Sequence, residues 1–332
     1  MYKKLTRVLA LLLCAALVFV LCGCDSSDYA KAQKLFDAGD YTAAAQAFDA
    51  LGDYKDSADQ ANECRYLLAG QAAEIGDLGS AAEAFDALGD YKDSADQANE
   101  CRYLLAEQTA EAGDFAGAAE QYDALGDYKD SADQASECRY TLAEQAMDKG
   151  IYSLAIELYD QLGDYKDAAD RKTEAENAAL TAKLIGDWSG MGDATEAMAE
   201  AIGEAGAYLT SCPYEMKITF KDYGSYVFTL DFTPSKDAFS GALHAAIEEQ
   251  LSANGISVAT FEASIGKSLD EYIASSFDVQ TLSQTGVGNY TIRDGVVILD
   301  PNSANEVEVT LDGDSLLVDF YIYNDVVTLK KS

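Results

Sequence analysis

Apolar residues are spaced in two ways along this chain. Between Asp28 and Lys183 they recur at helical intervals in proline-free text rich in Ala, Leu, Glu and Gln; beyond Leu184 they alternate with polar residues at strand intervals. In the first region, Asp56 to Ile75 predicts a long helix, Gly76-Asp77 a break, and Ser80 to Leu88 a shorter helix. Asp56 or Ser57 is expected to cap the longer helix, with Asp59 in its first turn, and Gly89 lies just past the shorter one. In the second region, Tyr214, Met216, Ile218 and Phe220, then Tyr226, Phe228, Leu230 and Phe232, flank Asp222-Tyr-Gly-Ser and predict a hairpin with one apolar face.

Further strands are expected at Trp188 and over Asn289 to Arg293, Val296 to Leu299, Glu306 to Leu311, Leu316 to Tyr323 and Val326 to Lys330. Asp294-Gly295 and Asp312-Gly313 would serve as turns. About eight strands suffice for an antiparallel barrel or sandwich. A helical insertion at about 236–278 interrupts them. Phe239, Leu243, Ile247 and Leu251 share one helical face before Gly255, and Ser268 with Glu271 forms a capping box. Gly286-Val-Gly288 is too short to cradle a phosphate and reads as a turn.

Self-similarity organises the helical region. Leu-Gly-Asp-Tyr-Lys-Asp begins at Leu51, Leu88, Leu125 and Leu162, each 37 residues after the last, a period that denotes stacked helix pairs. Gly76, Leu78, Ala81, Phe85 and Leu88 recur as Gly39, Tyr41, Ala44, Phe48 and Leu51, as Gly113, Phe115, Ala118, Tyr122 and Leu125, and as Gly150, Tyr152, Ala155, Tyr159 and Leu162. This pattern, with Leu68-Ala69 in the longer helix, resembles tetratricopeptide repeats. It differs in its period, which is about 34 residues in that family, and in having Gly-Asp-Tyr-Lys-Asp where that family has a proline. The resemblance implies an α-helical solenoid over residues 28–183, four pairs closed by a last helix near Asp167 to Lys183, whose Arg171, Lys172 and Lys183 supply a polar outer face. It carries over no ligand residues.

The first residues add a compartment. Lys3, Lys4 and Arg7 precede an unbroken apolar run from Val8 to Cys22, short for a membrane span of roughly 20 residues, so residues 1–23 read as a cleaved export signal. Leu21-Cys22-Gly23-Cys24 resembles the lipobox of bacterial lipoproteins, which implies lipidation of Cys24, a tether over 24–27, and a protein held on the outer face of the cell membrane. Two acyl chains, at ~0.8 kcal/mol per buried methylene, make a stable anchor. Removing the three signal cations moves the formal charge from −35 to −38. Residues 25–183 carry 35 acidic and 13 basic side chains, and residues 184–332 carry 23 and 7. Nucleic acid and anionic headgroups are repelled by such a chain, and basic partners or, at low affinity, divalent cations are favoured.

The search for reactive groups gives no catalytic, cofactor or metal site. His244 is the sole histidine, which excludes a multi-histidine zinc centre, and its pairing with Ser240 lacks an orienting acid. Cys212 beside Pro213 reads as a lone loop thiol. Cys64, Cys101 and Cys138 share one repeat position and read as buried thiols, because equivalent atoms of packed helices lie on the order of 10 Å apart, too far for a disulfide. Asp53, Asp56 and Asp59 lack the Gly and distal Glu of a calcium loop.

The Leu-x-Gly-x-Trp opening at Leu184, the hairpin residues Phe220, Gly224 and Tyr226, and the closing Gly-Asp-x-Leu and Leu-Lys-Lys strands together resemble small lipocalin-like barrels of bacterial surface proteins. That implies a closed sheet over 184–332 with a mouth suited to a small apolar ligand. The expectation is therefore a non-enzymatic lipoprotein whose repeats bind an unidentified protein partner. The alternative is ligand capture by the barrel, with the repeats as a stalk and Phe220, Phe228, Leu230 and Ile292 facing the interior.

Overall fold

The computed structural model describes residues 25–293, 295–320, 323 and 325–332. The export signal and Cys24 lie outside the described residues, as do Asp294 of one expected turn and Tyr321 and Ile322 of one expected strand. Two compact units form: one takes the chain up to Lys149 together with Leu158–Ala168, the other takes Gly150–Glu157 with Ala169–Ser332.

The first unit is helical. Residues 25–37 form α1, followed by α2 (Tyr41–Asp49), α3 (Ser57–Glu74), α4 (Leu78–Asp86), α5 (Ser94–Glu111), α6 (Phe115–Leu125) and α7 (Ser131–Asp148). From α2 to α7 each helix packs on the next in the chain. α8 (Tyr152–Leu162) divides between the two units, and α9 (Ala168–Leu184) lies almost wholly in the second. The short helices begin two residues earlier than the spacing suggests, because Asp77 takes the N-cap and its carboxylate accepts from the Ser80 N–H.

Capping of the long helices is a correction. Asp56 occupies the N-cap of α3 but makes no side-chain cap bond. Its carboxylate accepts instead from the Tyr29 hydroxyl and the Gln60 amide, while buried Ser57 donates to the Tyr54 carbonyl.

The helical core consists of small clusters, each one large ring set among alanines with one cysteine. Phe48 packs with Ala32, Ala44, Ala61 and Cys64; Phe85 with Ala69, Ala81, Ala98 and Cys101; Tyr122 with Ala106, Ala118, Ala135 and Cys138. Alanine lets helices approach closely, and one ring per cluster fills what remains. The three cysteines are free and buried, as their small-residue position predicts.

The second unit contains a closed barrel, resolving the barrel-or-sandwich alternative. Its antiparallel strands follow chain order: β1 (Gly186–Asp193), β2 (Pro213–Phe220), β3 (Ser225–Asp231), β4 (Gln284–Arg293), β5 (Val296–Leu299), β6 (Val307–Asp312), β7 (Ser315–Phe320) and β8 (Asp325–Lys331). β1 closes the ring on β8, with Trp188 opposite Lys331. Closure leaves no strand edge to aggregate.

β4 overturns the turn expected at Gly286-Val-Gly288, which lies in its first half, paired with Phe228, Val227 and Tyr226 of β3. The glycines are there for space. A Cβ on Gly286 would sit 2.3 Å from the Phe228 ring, and one on Gly288 would sit 2.3 Å from Asp300 Oδ1 and 2.6 Å from the Tyr226 ring. Two glycines close together mimic a turn in sequence while serving close packing in a strand.

Between β3 and β4 run α11 (Lys236–Ala253), α12 (Val258–Ile265) and α13 (Leu269–Ser276), the last opened by the expected Ser268–Glu271 capping box. Periodicity gave only the first and third of these. It also gave no sign of α10 (Thr195–Ala201) and a 3-10 turn at Gly203–Tyr208, both between β1 and β2.

Candidate functional site

The repeated Tyr-Lys-Asp loop builds the most regular surface of the helical unit. Each copy reaches back to the preceding long helix. The hydroxyls of Tyr29, Tyr66, Tyr103 and Tyr140 donate to Asp56, Asp93, Asp130 and Asp167 at 2.6–2.7 Å. The loop tyrosines Tyr91, Tyr128 and Tyr165 donate to Glu63, Glu100 and Glu137 at 2.7, 2.8 and 2.7 Å. Between the two rings of each clasp lies a lysine. Lys92 Nζ is 4.7 Å from the Tyr66 ring centre and 5.6 Å from that of Tyr91, and it also pairs with Glu63. Lys129 and Lys166 do the same with Glu100 and Glu137, each at 2.5 Å.

To reach this position the four lysines adopt left-handed backbone, with φ of 52°, 51°, 49° and 50° at Lys55, Lys92, Lys129 and Lys166. Glycine would suit such a φ better. The ammonium, held over two aromatic faces and, at Lys92, Lys129 and Lys166, beside a carboxylate, offsets the backbone cost. The recurrence of the motif was visible in sequence. That it fastens one repeat to the next was not, because Tyr66 and Asp93 lie 27 positions apart.

The clasp titrates. Lys92, then Tyr91, holds the Glu63 carboxyl below its usual range, and Lys129 and Lys166 do the same for Glu100 and Glu137. The Tyr66 phenol, donating to Asp93, is pushed up to about 12. A carboxyl whose pKa is lower folded than unfolded stabilises above its unfolded value and loses that contribution as pH falls through the folded one. The triple variant Glu63→Gln, Glu100→Gln, Glu137→Gln is therefore expected to melt below the wild type above about pH 5, with the gap closing as pH drops below about 4. Melting followed by helical circular dichroism at several pH values checks this; a gap independent of pH would assign the loss to packing.

Outside the clasps, two rows of carboxylates recur with the repeats. Asp53, Asp90, Asp127 and Asp164 form one; Asp59, Asp96 and Asp133 form the other. All are exposed, and among the described residues none forms an ion pair. The arginines of the long helices are already engaged: Arg65 with Asp49 at 2.5 Å, Arg102 with Asp86, and Arg139 with Asp123. The rows thus present unneutralised charge at regular intervals.

The barrel interior is occupied by side chains. Phe220 and Leu230 are 1% exposed, and Phe228 and Ile292 pack against the same core. Phe220 meets Tyr290 edge-on at 5.2 Å and Tyr226 at 6.1 Å; Tyr214 stacks on Phe232 at 5.3 Å. Burial and the Asp325 carboxylate push the Tyr214 phenol well above its usual range.

The single histidine has two carboxylates as its nearest charged neighbours. His244 is partly exposed, with Nε2 3.7 Å from Asp270 and Nδ1 3.9 Å from Glu248. Cys212 is fully buried beside Ser235, and burial pushes its thiol up, as it does for Cys64, Cys101 and Cys138. Thiols so placed are poor nucleophiles. Among the described residues no three His, Cys, Asp or Glu side chains converge as a metal site, and no helix is long and apolar enough to cross a membrane. No family model matches the chain, and no curated protein matches it in sequence.

Proposed function

We propose that this chain is a lipoprotein, anchored at the extracytoplasmic face of the cell membrane through Cys24, whose helical repeats form a tetratricopeptide-like solenoid that serves as a scaffold for a basic protein partner. The observation that carries the reading is the pair of exposed carboxylate rows, which repeat with the helices and have no cation of their own. A repeated, unneutralised charge complements a partner bearing cations at matching intervals, and complementarity of this kind governs association rate and partner choice. The basic and apolar residues before Cys24 support the anchor, and the formal charge of −38 left after their removal keeps such a surface away from nucleic acid.

The alternative, capture of a small apolar ligand by the barrel with the repeats as a stalk, is supported by the closed sheet, while Phe220 and Leu230 are buried in a cluster of aromatic side chains. Affinity capture from solubilised envelope with the full chain tests the choice. Asp53→Asn, Asp90→Asn and Asp127→Asn together should release the partner at lower salt than the wild type does, since screening removes interactions between exposed charges. A partner retained equally by both chains would remove the rows from the account. In the same cells, Cys24→Ala should move the protein out of the membrane fraction.

A further inference from the structure

The second unit is acidic, yet three of its lysines lie together. Lys183, at the end of α9, and Lys330 and Lys331, at the end of β8, line one groove of about 530 Å³ with Trp188, Leu311, Gly313 and Asp314. Two other cations of the unit are paired: Lys217 with Glu215 at 3.0 Å and Arg293 with Glu306 at 3.9 Å. Among the described residues no carboxylate comes within 4.0 Å of the three groove ammonium groups.

Two of the three are held in place by neutral oxygens. Lys331 Nζ donates to the Lys183 carbonyl at 2.6 Å and stands 5.5 Å from the Trp188 ring, and Lys330 donates to the Ser315 hydroxyl. An ammonium has three donors, so each keeps capacity for a further acceptor. Gly186 makes room for this arrangement, since a Cβ there would sit 3.1 Å from Lys331 Cε. Trp188 is fixed beneath by its own bond to the Leu184 carbonyl at 2.8 Å.

Against these three lysines the groove lining holds one carboxylate, Asp314, in a unit with 23 acidic against 7 basic residues from 184 onward. We propose that this groove is an anion site for a phosphate group, whose doubly charged form satisfies several ammonium donors at once. The phosphate belongs either to a small soluble molecule or to an anionic lipid headgroup. This site is separate from the carboxylate rows and does not depend on the scaffold reading.

Trp188 is the sole tryptophan, so the groove carries its own reporter. The full chain in neutral detergent is titrated with inorganic pyrophosphate at constant ionic strength, and separately with phosphatidylglycerol mixed into the micelles. Fluorescence of Trp188 and equilibrium dialysis of the phosphate are both read. Saturable binding is expected, weakened about tenfold or more by Lys330→Ala with Lys331→Ala, in proportion to two charge-assisted bonds lost. Lys183→Gln, which leaves the carbonyl holding Lys331, should weaken it less. Circular dichroism confirms that the variants fold. Saturation by pyrophosphate assigns a soluble ligand; saturation only by the lipid assigns a headgroup. The proposal is overturned if neither probe binds by dialysis or fluorescence, if chloride at equal ionic strength reproduces the response, or if the double variant binds as the wild type does.

Discussion

Phe220→Ala is expected to destabilise the barrel by about 3–5 kcal/mol, the cost of deleting a fully buried ring and leaving a cavity. The ring is 1% exposed and contacts Tyr226 and Tyr290, both of which are tethered: Tyr226 donates to Asp300 at 2.7 Å and Tyr290 to the Lys221 carbonyl at 2.7 Å. Tethered neighbours cannot collapse into the space, which places the loss toward the upper end. Urea unfolding followed by Trp188 fluorescence gives the value. A loss under about 1 kcal/mol would mean that the ring has room around it, reviving the ligand-cavity reading.

The second large effect falls in the helical unit, where Phe85→Ala should also cost about 3–5 kcal/mol. Its companion Phe85→Tyr is more informative, because Tyr122 and Tyr159 already occupy the equivalent repeat positions. Tyr159 donates to Glu144, and the position 37 residues before Glu144 is Glu107, facing Tyr122; one repeat earlier, facing Phe85, it is Gly70. Both tyrosines go with Glu, whereas Phe85 goes with Gly70 and Phe48 with Gln33. Alone, Phe85→Tyr buries a hydroxyl with no carboxylate to accept from it and should cost about 1–3 kcal/mol. Adding Gly70→Glu should recover most of that, with a coupling of about 0.5–3 kcal/mol in a double-mutant cycle. Additive effects would show that the two positions do not communicate.

These residues mark what the sequence discloses and what it hides. The 37-residue period and the alternation of Tyr214 through Phe232 announce helix pairs and a hairpin, because each element buries one face and its periodicity follows. Eight strands could be counted, but whether they close could not, since closure rests on β1 meeting β8 across more than a hundred residues. Gly286 and Gly288 misled because a glycine's role depends on what stands over it, here the rings of Phe228 and Tyr226. Asp56 misled differently. Local chemistry offers it a cap, but Tyr29 makes a competing offer from the preceding repeat. The lysine groove escaped entirely, as Lys183 and Lys331 are joined only by the fold. Contacts within a repeat are legible in sequence; contacts between repeats or between distant strands are not.

The central claim is that the helical repeats, not the barrel, make the binding surface. Photo-crosslinking in intact cells tests it most directly, with a photoreactive residue placed in turn at exposed repeat positions Asp90 and Asp127 and at exposed barrel positions Val287 and Thr310. The account predicts one discrete protein adduct from the repeat positions and none from the barrel. Adducts from Val287 and Thr310 alone would contradict it and make the barrel the partner's site.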